Sequence, residues 1–132
     1  MSHIVQGKSS VEYRNREILI EALQHHGEVY ENECLYIENG FSLSKTSERY
    51  EIVLASKTNK RHRMGFNAKN GVYQAFQENY GAIGRWTQTV TTSIADLYVA
   101  IEYRNNLTEE GYDCKIEEQN GAFVLLAEEE CY

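Results

Sequence analysis

The sequence predicts an α+β fold, in which an antiparallel sheet built from hairpins carries two helices on one face. Three Asn-Gly dipeptides, at Asn39-Gly40, Asn70-Gly71 and Asn120-Gly121, lie between segments with strand character, which is the pattern of a tight hairpin. Two other segments repeat apolar residues at intervals of three and four, as a helix with one buried face does. The 132 residues contain no Pro and no Ser/Gly-rich linker, so we expect residues 1–132 to form a single domain.

The amino-terminal part of the chain predicts one strand followed by one helix. Residues 2–11 mix β-branched and polar side chains, which favours a short first strand. Asn15 is a suitable N-cap, because its side chain can accept a hydrogen bond from a free backbone amide, and Gly27 is a suitable stop. The apolar residues between these two positions fall on one helix face: Ile18, Leu19, Ala22 and Leu23.

The middle of the chain predicts strands over residues 28–37, 50–56 and 63–76, the last folded into a hairpin at Asn70-Gly71. Residues 57–62 are polar and would connect two of these strands. A second helix is expected to begin near Thr92 or Ser93, because Ser93 and Asp96 have the spacing of a capping box. Its buried stripe would consist of Val90, Ile94, Leu97, Tyr98 and Ile101.

A third hairpin is predicted over residues 112–118 and 122–127, with Val124-Leu125-Leu126 as a buried returning strand. Two one-sided helices and a sheet of hairpins fit an α+β sandwich that is ferredoxin-like in its general arrangement. Both helices would cover one sheet face, and the other face would stay partly open.

Composition excludes several classes of protein. No apolar run approaches the roughly 18 residues of a membrane-spanning helix, and the segment Met1 to Gly7 lacks the basic region and apolar core of a secretory signal. Cys34, Cys114 and Cys131 are too few and too far apart for a disulfide framework or a metal-binding motif. We therefore expect a cytoplasmic protein with reduced cysteines, no metal and no cofactor.

Charge is distributed unevenly along a chain whose net charge is −7. Residues 57–104 contain seven basic and three acidic side chains, whereas the segments before and after them are acidic. An acidic total repels nucleic acid, because duplex binding depends on neutralising phosphates with Lys and Arg. General binding to nucleic acid is therefore not expected.

Several short, mostly turn-forming motifs resemble the conserved hypothetical chloroplast reading frame thirty-five family. They are Met1-Ser2-His3, the helix stop at Gly27, Asn39-Gly40 leading into Tyr50-Glu51-Ile52-Val53-Leu54-Ala55, Gly65-Phe66, Asn70-Gly71-Val72-Tyr73 and Tyr80-Gly81. Members of that family have similar lengths and are found in plastids, cyanobacteria, other bacteria and phages. The resemblance covers nearly the whole chain and supports the fold, but the family is functionally uncharacterised and implies no chemistry. This chain differs from the usual pattern in its long basic connection at 57–63 and its acidic, Cys-containing end.

The basic connection is the best candidate for a binding site. Its cations could hold phosphates or an acidic protein surface, together with nearby basic and aromatic residues. The plainer interpretation is a solvated loop that keeps the sheet soluble. The candidate residues are Lys57, Lys60, Arg61, His62, Arg63, Lys69, Arg85 and Trp86.

Other chemically capable residues favour structural interpretations. His25 and His26 point about 100° apart on a helix, so they are better suited to satisfying terminal carbonyls than to chelating one metal. Gly81-Ala82-Ile83-Gly84 is too short for a phosphate-binding loop. A Cys nucleophile would need a fold that brings a cysteine close to His3 or His62. Most of the ten tyrosines are expected to pack, although some could form an exposed interface.

The sequence favours a non-enzymatic binding module that contacts a protein partner, and hairpin edges allow self-association into a homo-oligomer. The alternative is a binder of a small anionic ligand or nucleotide, using Lys60, Arg61, Arg63, Arg85 and Trp86. An enzyme with a Cys or His nucleophile is the third hypothesis.

Overall fold

The computed structural model describes residues 4–7, 9–120 and 122–129 of the chain. The elements are β1 (Ile4–Gln6), α1 (Arg16–Gln24), β2 (Gly27–Asn39), β3 (Ser42–Ser56), β4 (Arg63–Lys69), β5 (Val72–Glu78), α2 (Gly81–Glu109), β6 (Tyr112–Gln119) and β7 (Ala122–Glu129). Strands β1 to β5 form one antiparallel sheet in the order β1-β5-β4-β3-β2, and β6 and β7 form a separate hairpin. The predicted α+β class with an antiparallel sheet is therefore confirmed.

Helix α1 has the predicted cap and the predicted buried face. The Asn15 side chain accepts a hydrogen bond from the backbone of Ile18, and the four predicted apolar residues are buried. Gly27 is the first residue of β2, where a Cβ atom would lie 2.0 Å from the carbonyl oxygen of Ala55. Glycine is thus needed there for close strand contact, whereas the helix already ends at Gln24, with His25 as its C-cap. Strand β1 is shorter than the predicted segment, of which residues 2, 3 and 8 lie outside the described chain.

The Asn-Gly turns differ from one another in their conformation. Asn70 and Gly71 both have positive φ, at 55° and 80°, as a tight hairpin with matching twist requires. Asn39 instead pairs with Ser42, so Gly40 and Phe41 form the turn, and of these two only Gly40 has positive φ. Asn120 has a φ of 51°, and its partner Gly121 lies outside the described residues.

Helix α2 begins at Gly81 and has 29 residues, so the predicted start near Thr92 or Ser93 is wrong. The buried stripe extends backward through Ile83 and Thr87, and packing along it outweighs the low helix propensity of glycine. Ser93 caps nothing; its hydroxyl is hydrogen-bonded to the ring of His26 in the connection after α1. Among the described residues, no helix is long and apolar enough to cross a membrane.

Both helices pack on one face of the five-stranded sheet and form the main core there. Ile52 and Leu54 of β3 and Met64 and Phe66 of β4 meet the buried faces of α1 and α2. Tyr98 of α2 is buried among them, and its hydroxyl accepts hydrogen bonds from the backbone amides that precede α1. The predicted placement of both helices on one face is confirmed.

The second face of the sheet is more covered than the sequence suggested. Leu35, Tyr50 and Val53 are buried there, with Ile4 and Phe76 packed against them. The register of β2 and β3 shifts between Cys34 and Tyr36. The end of the hairpin beyond this shift, residues 36–46, contacts the end of β5 and the start of α2 through Glu38. We call residues 36–46 the arm.

The carboxylate of Glu78 holds the arm in place. The backbone amide of Glu38 in the arm donates to Glu78 at the end of β5, over 3.1 Å, although β2 and β5 are not neighbours in the sheet. The Glu78 side chain is fully buried and also accepts from the backbone of Tyr80, over 3.2 Å. This contact joins the arm, the sheet and the start of α2.

The β6–β7 hairpin packs on the helices. Ile116 and Phe123 contact the main core, and Phe123 also meets the rings of His25 and His26 edge-on. The predicted burial of the returning strand is only partial, because Val124 and Leu125 are half-buried and Leu126 is exposed. A two-stranded hairpin has a second face, and here no described element covers it.

Candidate functional site

The basic connection between β3 and β4 has a defined conformation. The backbone of Ser56 donates to the carbonyl of His62 over 2.9 Å, which closes the loop at its base. Inside it, Asn59 accepts from the backbone of Arg61 with its side chain and from that of His62 with its carbonyl. This is the local bonding for which Asn is favoured in turns. Lys60 and Arg61 are therefore presented at the tip of a structured turn.

Arg63 joins this connection to β2. Its guanidinium carbon lies 5.3 Å from the ring centre of Tyr30 and 5.1 Å from that of Tyr36. Its nitrogens donate to the carbonyls of Cys34, over 3.0 Å, and Lys60, over 2.7 Å. Only 13% of the side chain is exposed. Arg63 thus serves mainly to hold the other cations in place.

Two more cations lie beside the same tyrosines. Arg61 is exposed, and its guanidinium carbon lies 5.9 Å from the ring centre of Tyr36. The Lys60 ammonium lies 3.6 Å from a carboxylate oxygen of Glu28, which also accepts a hydrogen bond from the hydroxyl of Tyr30. We call the group formed by Tyr30, Tyr36, Lys60, Arg61 and Arg63 the arginine–tyrosine patch.

Hydrogen bonding perturbs the acid at the border of the patch. The bond from Tyr30, together with the nearby Lys60 charge, lowers the pKa of Glu28. The same bond raises the pKa of Tyr30, because the phenol is the donor and its ionised form could not donate. Glu28 therefore stays ionised and Tyr30 neutral at physiological pH, which keeps this hydrogen bond intact.

The structure brings together only some of the predicted binding residues. Lys57, Lys60, Arg61, His62 and Arg63 share the connection or its border. Lys69 lies at the opposite end of β4 from Arg63, six residues away and thus about 20 Å along the strand. Arg85 and Trp86 belong to α2, and Trp86 packs against the main core on the other side of the sheet. The aromatic neighbours of the cations are therefore tyrosines, and not Trp86.

The sequence did not indicate that Tyr30 and Tyr36 belong to the patch, or that Glu28 lies at its border. Arg63 pairs with Ala55, and Tyr30 pairs with Val53, so strand pairing places them on one face. Tyr36 lies beyond the register shift that follows Cys34, and its ring is next to Arg61 and Arg63. One feature of the sequence could have indicated part of this arrangement. Glu28 and Tyr30 are two residues apart in a strand, so their side chains lie on the same face.

The amino terminus of α2 is already supplied with an anion. A carboxylate oxygen of Glu38 lies 3.5 Å from the backbone nitrogen of Ile83, and a Cβ atom at Gly81 would collide with the same carboxylate. Helix amino termini favour negative charge. The Gly81 to Gly84 segment therefore receives the arm in place of a phosphate group.

His26 and His62 are hydrogen-bonded to partners other than cysteine sulfur. His26 is hydrogen-bonded to the carbonyl of Ala22 and to Ser93, and His62 is hydrogen-bonded to Asn59. Cys34 is buried and unpaired, and Cys114 is half-buried and unpaired. Residues 4–7, 9–120 and 122–129 hold no group of three metal-ligating side chains. His3 and Cys131 lie outside the described residues.

Comparisons with protein-family models, with curated proteins and with solved structures found no match to this chain.

Proposed function

We propose that this chain is a non-enzymatic module that binds an acidic surface of a protein partner through the arginine–tyrosine patch. The observation that carries the proposal is the exposed guanidinium of Arg61 lying over the ring of Tyr36. Arg and Tyr supply a large share of the binding energy at protein interfaces, because each combines a broad contact surface with directional hydrogen bonding. A carboxylate of the partner would be held by the outward-facing nitrogens of Arg61.

Preorganisation supports this choice of site. Asn59 fixes the turn, and Arg63 ties the turn to β2 through two backbone carbonyls. A surface that is already ordered loses less conformational entropy on binding. The residues outside the patch carry a net negative charge, so an acidic partner is attracted to the patch more than to the surface as a whole. We also propose that the module acts in the cytoplasm and that it belongs to the chloroplast reading frame thirty-five family.

The test compares two probes on the full chain by NMR titration: a twelve-residue glutamate peptide and ATP. We expect saturable shifts from the peptide at Tyr36, Lys60 and Arg61. Removing a hot-spot side chain costs more than about 1.4 kcal/mol, so Arg61→Ala should weaken peptide binding about tenfold or more. Arg85→Ala and Lys69→Ala are the matched controls, since each removes one cation that lies outside the patch. Neither should weaken peptide binding.

The outcomes separate the competing functions. Saturable binding of ATP at the patch, with no response to the peptide, would favour the alternative of a small anionic ligand or nucleotide. Equal losses from Arg61→Ala and Lys69→Ala would show nonspecific charge attraction and would refute the proposed site.

A further inference from the structure

The outer edge of β7 is the feature from which we draw a further inference. Strand β7 pairs with β6 on one side, and within the described chain none of its backbone groups has a hydrogen-bond partner on the other side. Unpaired strand edges are templates for another strand. We propose that two copies of this chain associate by pairing their β7 strands antiparallel, which joins two hairpins into one four-stranded sheet.

The residues of β7 make its outer edge better suited to pairing than the outer edge of β6. From Ala122 to Ala127 the strand carries no charge and has four large apolar side chains. Strand β6 carries Asp113, Lys115, Glu117 and Glu118 among eight residues. Charged side chains protect native edges from pairing. The edge of β6 is therefore protected, and the edge of β7 is not.

Symmetry defines a favourable register for the pair. A twofold axis perpendicular to the sheet keeps each face of the hairpin on the same side in both copies, so paired residues must have the same parity. With the axis at Leu125, Val124 of one copy lies opposite Leu126 of the other, and this occurs twice. In the same register Glu128 lies opposite Ala122, which keeps the acidic ends of the two strands apart.

The proposed four-stranded sheet would also bring together apolar side chains on the uncovered face of the hairpin. Phe123 and Ile116 pack on the main core, so the face that carries them is occupied within one copy. Val124 and Leu126 are on the opposite face, paired with Glu117 and Lys115. In the dimer, each Val124 would contact a Leu126 of the second copy, and apolar cross-strand pairs of this kind stabilise sheets.

The first test uses the unaltered chain. Sedimentation velocity over a wide concentration range should show a monomer converting to a dimer. Amide hydrogen exchange of residues 123–127 should slow as concentration rises, whereas exchange of residues 113–117 should not change. A chain that stays monomeric, or a dimer whose formation leaves β7 exchange unchanged, would overturn the proposal without the need for any variant.

The second test uses charge on the uncovered face. In Val124→Lys/Leu126→Lys, lysines would lie opposite one another twice in the dimer, so we expect the dissociation constant to rise about tenfold or more. In Val124→Lys/Leu126→Glu, each lysine would lie opposite a glutamate of the other copy, and dimerisation should be restored. Within one copy, this second variant also places the introduced lysine beside Glu117 and the introduced glutamate beside Lys115.

The pattern of results distinguishes this proposal from that of the partner-binding patch. Failure of the lysine–glutamate variant to dimerise, in a chain with an unchanged melting temperature, would rule out the proposed register. Arg61→Ala should leave the dimer unaffected, because the patch lies on the five-stranded sheet and not on the hairpin.

Discussion

His26 connects three elements through one side chain. Its Nδ1–H donates to the carbonyl of Ala22 over 2.8 Å, and because a carbonyl only accepts, Nε2 of the neutral ring accepts from Ser93, over 2.7 Å. The ring also meets Phe123 of β7 edge-on. The predicted role in satisfying a terminal carbonyl is thus confirmed for His26. Burial lowers its pKa, and the neighbouring His25 lowers it further against the opposing effect of the Ala22 hydrogen bond.

The lowered pKa of His26 predicts a loss of stability in mild acid. In the unfolded chain His26 titrates near its ordinary value of about 6.5, so below that pH the unfolded state takes up the proton more readily than the folded state. The free energy of unfolding should fall between about pH 7.5 and 5.5, and less so in His26→Gln. Urea denaturation across this pH range measures the free energy of unfolding. His62→Gln, which removes a histidine from the connection between β3 and β4, is the control, and an unchanged pH slope in His26→Gln would contradict this prediction.

At the scale of the element, the length of α2 depends on a contact outside the helix. Gly84 lies against the backbone of Asn79, and a Cβ atom there would be 2.1 Å from the Asn79 oxygen. The first turns of α2 can therefore follow β5 closely only because residue 84 has no side chain. The capping-box pattern at Ser93 gave the wrong start because local pattern contains no information about this packing.

We expect Gly84→Ala to destabilise the protein by about 2 kcal/mol, since the junction between β5 and α2 must open to admit the methyl group. In an ordinary helix position the same change would stabilise by up to about 1 kcal/mol. Thermal and urea denaturation show whether Gly84→Ala is more or less stable than the unaltered chain. Gln88→Ala, on the exposed side of α2, should be close to neutral. A stabilised Gly84→Ala would show that the close approach to Asn79 does not exist.

At the scale of the whole molecule, the arm and Glu78 determine how open the second sheet face is. The arm belongs to strands at one side of the sheet but is bonded to β5 on the other side. Glu78 accepts from both the arm and the start of α2, so one buried carboxylate fixes three parts of the fold. Tyr36, whose ring lies beside Arg61 and Arg63, is also a residue of the arm.

Loss of the Glu78 carboxylate should release the arm. In Glu78→Ala the backbone amides of Glu38 and Tyr80 lose their acceptor, which costs about 1 to 3 kcal/mol for each group left unpaired. Amide exchange should accelerate across residues 36–46 and change much less in β4. Glu48→Ala removes an exposed carboxylate from β3 just outside the arm and is the control. Unchanged exchange in the arm of Glu78→Ala would show that other contacts hold it.

The sequence by itself determined the parts of this protein that depend on neighbouring residues. The cap at Asn15, the buried face of α1, the Asn70-Gly71 turn and the antiparallel hairpins all follow from local stereochemistry and periodicity. Basic residues were also recognisable as a cluster where they are close together in the chain, at 57–63. Each of these features involves residues that are close in the chain, so pattern and propensity are sufficient.

Only the tertiary structure decided which distant residues meet. It separated Lys69, Arg85 and Trp86 from the basic connection and added Tyr30 and Tyr36. It also folded the arm over the sheet and started α2 at Gly81. The physical reason is that these outcomes depend on strand register, a bulge and close backbone contacts, whose energies arise between segments far apart in the sequence.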